Sequence, residues 1–309
     1  MRAGTPRRLY YCDHHELPLP AGHKFPVQKY ALLRQMLAAD GCYQFEQAPF
    51  ADPAIIRLVH DADYVQRFLD GTLTPSAMRR IGFPWSEGLV RRTLASVGGT
   101  LRAVADAMAT GFGGNLAGGT HHAFRAEGAG FCVFNDIAVA IESLRPAGRV
   151  RRAAILDLDV HQGDGTAAIF EDDPDVLTVS LHGRNNFPFR KQRSKIDVAL
   201  ADGTGDEEYF KALTTVLPQV FAFRPEILLY QSGVDALATD VLGRLALSPA
   251  GLRVRDREVM AAARAYGVPF VVTLGGGYSN PIELTAEAHA NTYRTAAEVF
   301  GRDPQGWGV

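Results

Sequence analysis

Short apolar runs alternate with longer amphipathic stretches along this chain, and this alternation restricts its possible folds more than any other feature. The short runs predict strands at Arg8–Cys12, Asn115–Ala117, Ala153–Leu158, Val176–Leu181, Ile227–Tyr230 and Phe270–Leu274. The amphipathic stretches predict helices near Pro26–Ala39, Ile55–Leu69, Glu87–Ala109, Asn135–Leu144, Glu207–Phe221, Pro249–Tyr266 and Ile282–Phe300. Strands that alternate with helices form a mostly parallel sheet covered on both faces. We therefore expect a three-layer α/β/α protein.

The length and composition are those of an ordinary globular protein. Of the 309 residues, 47% are hydrophobic and 21% are charged, which is enough apolar mass for a large core. No low-complexity segment, charge-block linker or internal repeat divides the sequence. One domain over residues 1–309 is therefore predicted.

The charge balance excludes some classes of partner. Lys and Arg number 32 against 34 Asp and Glu, and the formal charge of −2 predicts neither direct nucleic-acid binding nor a polybasic membrane patch. No apolar stretch is long enough to span a bilayer, and Met1–Pro6 lacks the character of a signal peptide, which predicts a cytoplasmic protein. Cys12, Cys42 and Cys132 have no CxxC spacing, which predicts isolated buried thiols rather than disulfides.

The segments that follow the predicted strands are polar and rich in glycine. Ligands of parallel sheets bind beyond the carboxyl ends of the strands, so these segments form the candidate site. The first, DLDVHQGDG at 157–165, brings three carboxylates and an imidazole together. Because alternate residues of an extended segment point the same way, Asp157, Asp159 and His161 share a face. This set suits a divalent metal, although Asp and Gly are also common in ordinary strand-end turns.

Three further segments follow other predicted strands. His121 and His122 end GGTHH, and because adjacent side chains point in different directions they are predicted as an acid/base pair, each held by its own carboxylate. Asp235 lies in SGVDA, and Tyr278 ends a GGGY turn whose glycines can carry a tyrosine hydroxyl into a cleft. Each segment alone is compatible with a structural role. Together, at one edge of one sheet, they predict a functional site.

These motifs resemble those of the histone deacetylase family, which has the arginase/deacetylase fold. The resemblance covers nearly the whole chain in the family's order: HHELPLPAGHKFPVQK at 14–29, HDADY at 60–64, GGTHH at 118–122, GFCVFND at 130–136, DLDVHQGDG at 157–165, VSLH at 179–182, SGVDAL at 232–237 and LGGGY at 274–278. Gln162 stands where many members have a second histidine, and is similar to the class IV branch and its bacterial relatives.

The resemblance implies a set of site residues and two ions. It implies one catalytic Zn²⁺ held by Asp159, His161 and Asp235, with Fe²⁺ left open as the native metal. The catalytic residues it implies are His121, His122, Tyr278, Asp157 and Asp164. It also implies a structural K⁺ bound by the carbonyls of Asp157, Asp159, His161 and Leu181 with the Ser180 hydroxyl. The implied substrate-binding residues are Gly130, Phe131, Gly276, the rim candidate Leu242, and either Phe187 or Phe189 as the second tunnel wall.

The implied activity is removal of acetyl or longer fatty-acyl groups from lysine side chains of proteins by a metal-activated water. Acetylated polyamines and other small acylated amines remain alternative substrates, and both a monomer and a dimer remain open. The residues agree with this activity. Two carboxylates and a neutral imidazole leave a divalent ion formally uncharged with an open coordination position, which is typical of a hydrolytic rather than a structural site.

Three other functions explain fewer of the residues. A haloacid dehalogenase-type phosphatase also has Asp-x-Asp after a strand, but it does not account for His161, the histidine pair or Tyr278. An arginase-like ureohydrolase needs a second metal, whereas the segment around Asp235 offers a single aspartate. A binding module without catalysis would typically have lost the tyrosine or a ligand, and both are present.

Overall fold

Eight parallel strands form one sheet at the centre of the molecule. The computed structural model describes residues 7–301. The strands are β1 (Arg8–Tyr11), β2 (Gln44–Gln47), β3 (Phe112–Asn115), β4 (Ala153–Asp157), β5 (Val176–Gly183), β6 (Ile196–Leu200), β7 (Ile227–Gln231) and β8 (Phe270–Thr273). Their order in the sheet is β2-β1-β3-β8-β7-β4-β5-β6, and each neighbouring pair is parallel. The predicted α/β architecture is confirmed.

Helices cover both faces of this sheet. In the described range they are α1 (Gln28–Asp40), α2 (Pro53–Ile56), α3 (Ala62–Leu69), α4 (Pro75–Ile81), α5 (Glu87–Thr110), α6 (Asp136–Leu144), α7 (Asp164–Ile169), α8 (Asp206–Ala222), α9 (Pro249–Ala265) and α10 (Ile282–Phe300). Several begin at a side chain that accepts a hydrogen bond from an N–H of the first helical turn: Asp52, Thr74, Ser86, Asn135 and Ser248. These caps fix where the connections between strands end.

Some predicted elements differ from the structure, mostly where the apolar pattern is weak. Strands β2 and β6 were not predicted because they lie at the sheet edges and are partly exposed. The strand predicted at Asn115–Ala117 is Phe112–Asn115 in the structure. The prediction was displaced because the two glycines of this strand hide its apolar pattern. The helix predicted over Ile55–Leu69 is two helices, since residues 57–61 between them form turns and the backbone of Asp61 is not helical. The short helices α4 and α7 were also missed.

The order of the central strands explains why the four polar segments meet. Strands β4, β7 and β8 are buried along their whole lengths, and their apolar side chains belong to one large hydrophobic core. Because β3, β8, β7 and β4 are consecutive neighbours and all parallel, their carboxyl ends lie side by side. The segments that follow them therefore converge on one place.

Three further predictions concern membrane spans, the amino terminus and the cysteines. Among residues 7–301, no helix is long and apolar enough to cross a membrane. The prediction that there is no signal peptide rests on Met1–Pro6, and these residues lie outside the described range. The three cysteines are free and buried, as predicted.

Candidate active site

Asp159, His161 and Asp235 form a compact cluster beyond the ends of β4 and β7. Nδ1 of His161 lies 3.1 Å from Oδ1 of Asp159 and 3.0 Å from Oδ2 of Asp235. One candidate ligand atom from each residue lies within 4.8 Å of the other two, and both aspartates are almost fully buried. Donor atoms that each lie about 2.0–2.2 Å from one ion are roughly 3 Å apart, which matches this spacing.

Neighbouring backbone holds the two carboxylates in place. The N–H of Gly276 donates to Oδ2 of Asp159 at 2.6 Å, and the N–H of Val160 donates to Oδ1 of Asp235 at 2.8 Å. A side chain at Gly276 would place its Cβ 1.8 Å from Oδ2 of Asp235, so only glycine fits there. Gly276, predicted as a substrate-binding residue, thus lies against the carboxylates of the cluster.

The charges of the cluster are unbalanced without a cation. Burial, together with the negative charge of Asp159, raises the pKa of Asp235 to about 7. Burial alone would lower the pKa of His161, but the two carboxylates outweigh it and raise that pKa to about 10. Two buried carboxylates that share one imidazole need a positive charge between them. Their donor set fits a divalent metal ion with one neutral imidazole ligand.

The tandem histidines each bind a separate carboxylate, as the sequence predicts. Nδ1 of His121 lies 2.7 Å from Oδ2 of Asp157, and Nδ1 of His122 lies 2.6 Å from Oδ1 of Asp164. The two rings are 4.1 Å apart between centroids, and all four side chains are buried. A carboxylate can only accept, so Nδ1 of each ring carries a proton. In a neutral ring, Nε2 is then free to accept one.

The two histidines have opposite electrostatic environments. Burial lowers the pKa of His121, but the attraction of Asp157 and Asp159 is larger and raises it to about 9. Burial and the positive charge of His121 lower the pKa of His122 to about 4, although Asp164 opposes this. Near neutral pH the pair therefore holds one positive charge, on His121. His122 is the neutral member and the one that can act as a base.

Tyr278 faces the same cavity as these groups. The turn that carries it begins at Gly275, whose positive φ of 79° favours glycine. Tyr278 lines a small cavity of about 90 Å³ together with His122, Asp159 and His161. Burial and the negative charges of Asp235 and Asp159 raise the pKa of Tyr278 well above its ordinary value. Its hydroxyl stays protonated and can donate a hydrogen bond.

An open groove of about 570 Å³ leads from these residues to the surface. Phe131 lies on one side with its ring 6.3 Å from that of Tyr278, and Phe187 lies 4.9 Å from the ring of His122. Gly130 allows this approach, because a Cβ there would meet both His122 and Phe187. Leu242 lines the outer part of the groove.

The two phenylalanines that the sequence left as alternatives occupy different depths. The side chain of Phe187 is 38% exposed and packs edge-on against His122, whereas Phe189 is 88% exposed. Both line the groove. Phe187 is therefore the inner wall residue, and Phe189 lies at the mouth.

Phe131 is held in an unusual backbone conformation. Its φ is +66°, a region in which residues other than glycine are uncommon. Two backbone hydrogen bonds to the end of α4 hold the segment, from Gly130 N to Arg80 O and from Phe131 N to Ile81 O. The short helix α4 thus positions one wall of the groove.

The residues that the resemblance implies for K⁺ lie at the carboxyl end of β4, in the segment that follows it, and within β5. Asp157 and Ser180 are partners across the two strands, and Leu181 follows with its side chain fully buried. Oδ1 of Asp157 accepts from Asp159 N at 3.1 Å, and Ser180 Oγ is hydrogen-bonded to His182 at 3.0 Å. Asp157 is also hydrogen-bonded to Nδ1 of His121, and so links this region to that histidine.

The site also contains polar residues that motif reading did not assign. Asp240 accepts backbone hydrogen bonds from Leu242, Gly243 and Tyr278, and so connects the groove rim to the tyrosine. Asp136 accepts from the backbone of Gly119 and Thr120 and holds the GGTHH turn. No spacing rule marks these carboxylates, because their bonds to Tyr278, Gly119 and Thr120 reach segments distant in sequence.

Two buried cations support the turns from below. Lys29 lies under the glycine turn, with Nζ 3.3 Å from Gly275 O and 3.4 Å from Gly277 O. Arg255 donates to Gly233 O at 2.7 Å and to Leu158 O at 3.2 Å, and so joins the segments that follow β7 and β4. The positions of the carboxylates thus depend on contacts across the whole fold.

Comparisons with known proteins find relatives over most of this chain. The model of the histone deacetylase domain matches residues 23–295. An uncharacterised protein of Picosynechococcus is 44% identical over 94% of this chain and 98% of its own length. The histone deacetylase-like amidohydrolase of Pseudomonas aeruginosa is 34% identical over 85% of this chain and 74% of its own length. Acetoin utilization protein AcuC of Bacillus subtilis is 31% identical over 89% of this chain and 76% of its own length. The chain therefore belongs to the histone deacetylase family and is a hydrolase that acts on amide bonds.

Proposed function

We propose that this protein is a Zn²⁺-dependent deacylase that removes acetyl or longer acyl groups from lysine side chains. One observation carries the proposal. The inner end of one groove brings together three side chains that could hold a metal ion, a neutral histidine and a protonated tyrosine. The apolar walls at Phe131 and Phe187 suit the aliphatic stem of an acyl-lysine. The amide bond would then lie beside the catalytic groups.

The roles of the protein groups follow from their charges and hydrogen bonds. His122, oriented by Asp164, accepts the proton of the attacking water through Nε2. The Tyr278 hydroxyl donates a hydrogen bond to the amide oxygen as negative charge develops there. A protonated histidine then delivers a proton to the departing lysine amine, while Asp157 orients His121.

The cluster of Asp159, His161 and Asp235 would hold the ion. When bound there, Zn²⁺ would polarise the amide carbonyl and acidify a water molecule. We also propose that K⁺ binds near Asp157 and Ser180, where it would neutralise part of the buried negative charge.

A substrate panel tests the proposal. The Zn²⁺-loaded protein is assayed on lysine peptides that carry acetyl to myristoyl groups, alongside acetylated polyamines, with and without a chelator. We expect metal-dependent hydrolysis of at least one acyl-lysine peptide and inhibition by a hydroxamate. Hydrolysis of the acetylated polyamines alone would show that the substrates are small acylated amines and not acyl-lysine peptides. No hydrolysis of either class by metal-loaded protein would contradict the proposal.

A further inference from the structure

The segment that follows β5 carries a concentration of positive charge. Its sequence from residue 184 to residue 195 is RNNFPFRKQRSK, with five Lys or Arg residues and no acidic residue. This contrasts with the whole chain, whose formal charge is −2. Phe187 and Phe189 of the same segment line the groove that leads to the active site. The charges therefore lie at the entrance that a substrate must pass.

Specific contacts hold this segment against the site. The side chain of Gln162, next to the proposed ligand His161, donates to Gln192 O at 2.8 Å and accepts from Gln192 N at 2.9 Å. Asn186 donates to Leu242 O at 2.8 Å on the opposite side of the mouth. The segment is thus fixed at both ends, which keeps its charged side chains near the groove.

Five cations either line the mouth or lie within two residues of a side chain that lines it, and we call them the cationic rim: Arg80, Arg184, Arg190, Lys191 and Arg244. Arg80 and Arg244 line the groove directly, while the other three belong to the segment that carries Phe187 and Phe189. Arg193 is not included, because it lies with Glu171 and Asp172 in a separate surface pocket.

The acidic residues near the rim balance only part of its charge. Glu127 pairs with Arg80, and Asp202 pairs with Arg244. Arg184 donates to Ala199 O, and Arg190 has no ion-pair partner among residues 7–301. Arg184, Arg190 and Lys191 therefore form no close ion pair with a carboxylate of residues 7–301, and only Lys191 is attracted by a carboxylate at longer range, that of Asp164.

Lys191 binds backbone carbonyls of its own segment. Its ammonium group donates to Asn186 O at 2.5 Å and to Pro188 O at 2.6 Å. These bonds fix the loop conformation without cancelling the charge of the lysine. A cation that braces a loop at a groove mouth contributes to the electrostatic potential there.

We propose that the cationic rim selects acyl-lysines that are flanked by acidic residues, an inference that rests on the proposed deacylase function. Aspartate or glutamate beside the modified lysine would meet Arg184, Arg190 and Lys191 as the lysine stem enters between Phe131 and Phe187. The same charges repel polycations. Acetylated polyamines and strongly basic peptide tails are therefore disfavoured substrates.

Peptides that differ only in flanking charge test this selection. Short peptides with one central acyl-lysine carry Asp, Ala or Arg at two positions on each side, and kcat/KM is measured at about 50 mM and about 0.5 M salt. We expect the Asp-flanked peptide to exceed the Arg-flanked peptide about tenfold at low salt, with a smaller difference at high salt. Equal values for the two peptides at low salt would overturn the proposal.

Charge reversal locates the effect. The double variant Arg184→Glu with Arg190→Glu alters two exposed side chains, and we expect it to abolish or invert the peptide preference without changing the melting temperature. The control is Arg149→Glu with Arg151→Glu, which makes the same charge change at exposed positions just before the amino-terminal end of β4, away from the groove, and which also removes the exposed ion pair of Arg151 with Asp175. The control should keep the wild-type preference. A preference that persists in the rim variant would overturn the proposal.

Binding measurements separate this inference from the deacylase function itself. If no peptide is hydrolysed, the proposed function fails, but fluorescence anisotropy of the same labelled peptides still compares Asp and Arg flanks. Tighter binding of the Asp-flanked peptide, lost in the rim variant, would support the rim. Anionic lipid vesicles are the remaining comparison. Rim-dependent vesicle binding without any peptide preference would assign the surface to a membrane and overturn the proposal.

Discussion

The inner end of the groove and its mouth are built in opposite ways. At the inner end, Asp159 and Asp235 are almost completely buried, and backbone N–H groups fix both carboxylates. At the mouth, Phe189 is 88% exposed and Arg190 has no ion-pair partner among the described residues. Buried charges depend on exact partners, whereas exposed charges tolerate loose geometry and are screened by salt.

This difference separates the groups proposed to act on the scissile amide from those proposed to select the substrate. A displaced group at the inner end removes a catalytic element, because burial makes each charge strong and each hydrogen bond necessary. A changed group at the mouth alters which substrates enter. We therefore expect substitutions at the inner end to have large effects on turnover, and substitutions at the mouth to have smaller effects that depend on the substrate.

The largest effect is expected for Asp235→Ala. This variant removes one of three candidate ligands, so the protein should lose its bound metal, about one equivalent per chain, and its hydrolytic activity. Metal analysis after gel filtration, together with turnover, measures both. Asp172→Asn, at an exposed carboxylate, is the control and should keep the metal. Unchanged metal content in Asp235→Ala would remove Asp235 from the ligand set.

The next largest effect is expected for His122→Ala. A general base typically contributes about 10²–10⁴-fold to rate, so kcat should fall by that factor while KM changes little. His14→Ala, at an exposed histidine near the amino terminus, should behave like wild type. Near-normal turnover of His122→Ala would transfer the role of base to His121 or to another group.

Tyr278→Phe tests the inner end without removing a ring. Loss of one donor to a developing oxyanion typically lowers turnover about 10²–10³-fold, and metal content should be unchanged. Tyr43→Phe is the matched control: its hydroxyl donates to Tyr293 O at 2.7 Å, far from the groove, so it should lose about 1 kcal/mol of stability but no turnover. Wild-type turnover in Tyr278→Phe would leave that residue a packing role only.

A smaller effect, visible as a pH shift, is expected for His121→Asn. If His122 is the base that we propose, activity requires its neutral form and is lost as the pH falls through the pKa of that residue, which is about 4. The positive charge of His121 helps to keep this pKa low, so its removal should raise the pKa of His122 and move the acid limb of kcat/KM to higher pH. An acid limb that stays in place would show that the two rings do not interact as inferred.

The sequence predicted the inner end of the groove far better than the mouth, and the reason is physical. The strands of the central sheet are buried and apolar, so β4 and β8 were predicted to within one residue, and the polar groups that follow them had to converge. Strand β6 and helix α4 are short or partly exposed and carry a weak pattern. The mouth depends on these elements.

Contacts between distant segments were the other part that could not be predicted. Asp240 binds the backbone of Tyr278, 38 residues away, and Gln162 binds Gln192, 30 residues away. Such contacts depend on how loops pack after the sheet has formed, and no periodicity reports them. Gln162 was noted in the sequence only as a departure from a motif, whereas in the structure it anchors the segment that carries the cationic rim.

The smallest effect distinguishes the two phenylalanines, which the sequence could not separate. Phe187→Ala removes a ring that packs against His122, and aromatic contacts are worth roughly 0.5–1.5 kcal/mol beyond their buried area, so kcat/KM on a small acyl-lysine substrate should fall about 2- to 13-fold. Phe189→Ala removes a ring that is 88% exposed, and the same substrate should be hydrolysed within about twofold of the wild-type rate. Steady-state kinetics on one short substrate compares the pair directly. A larger loss of kcat/KM in Phe189→Ala than in Phe187→Ala would mean that the mouth contributes more than the inner wall to the reaction of this substrate. It would contradict the division between chemistry at the inner end and selection at the mouth.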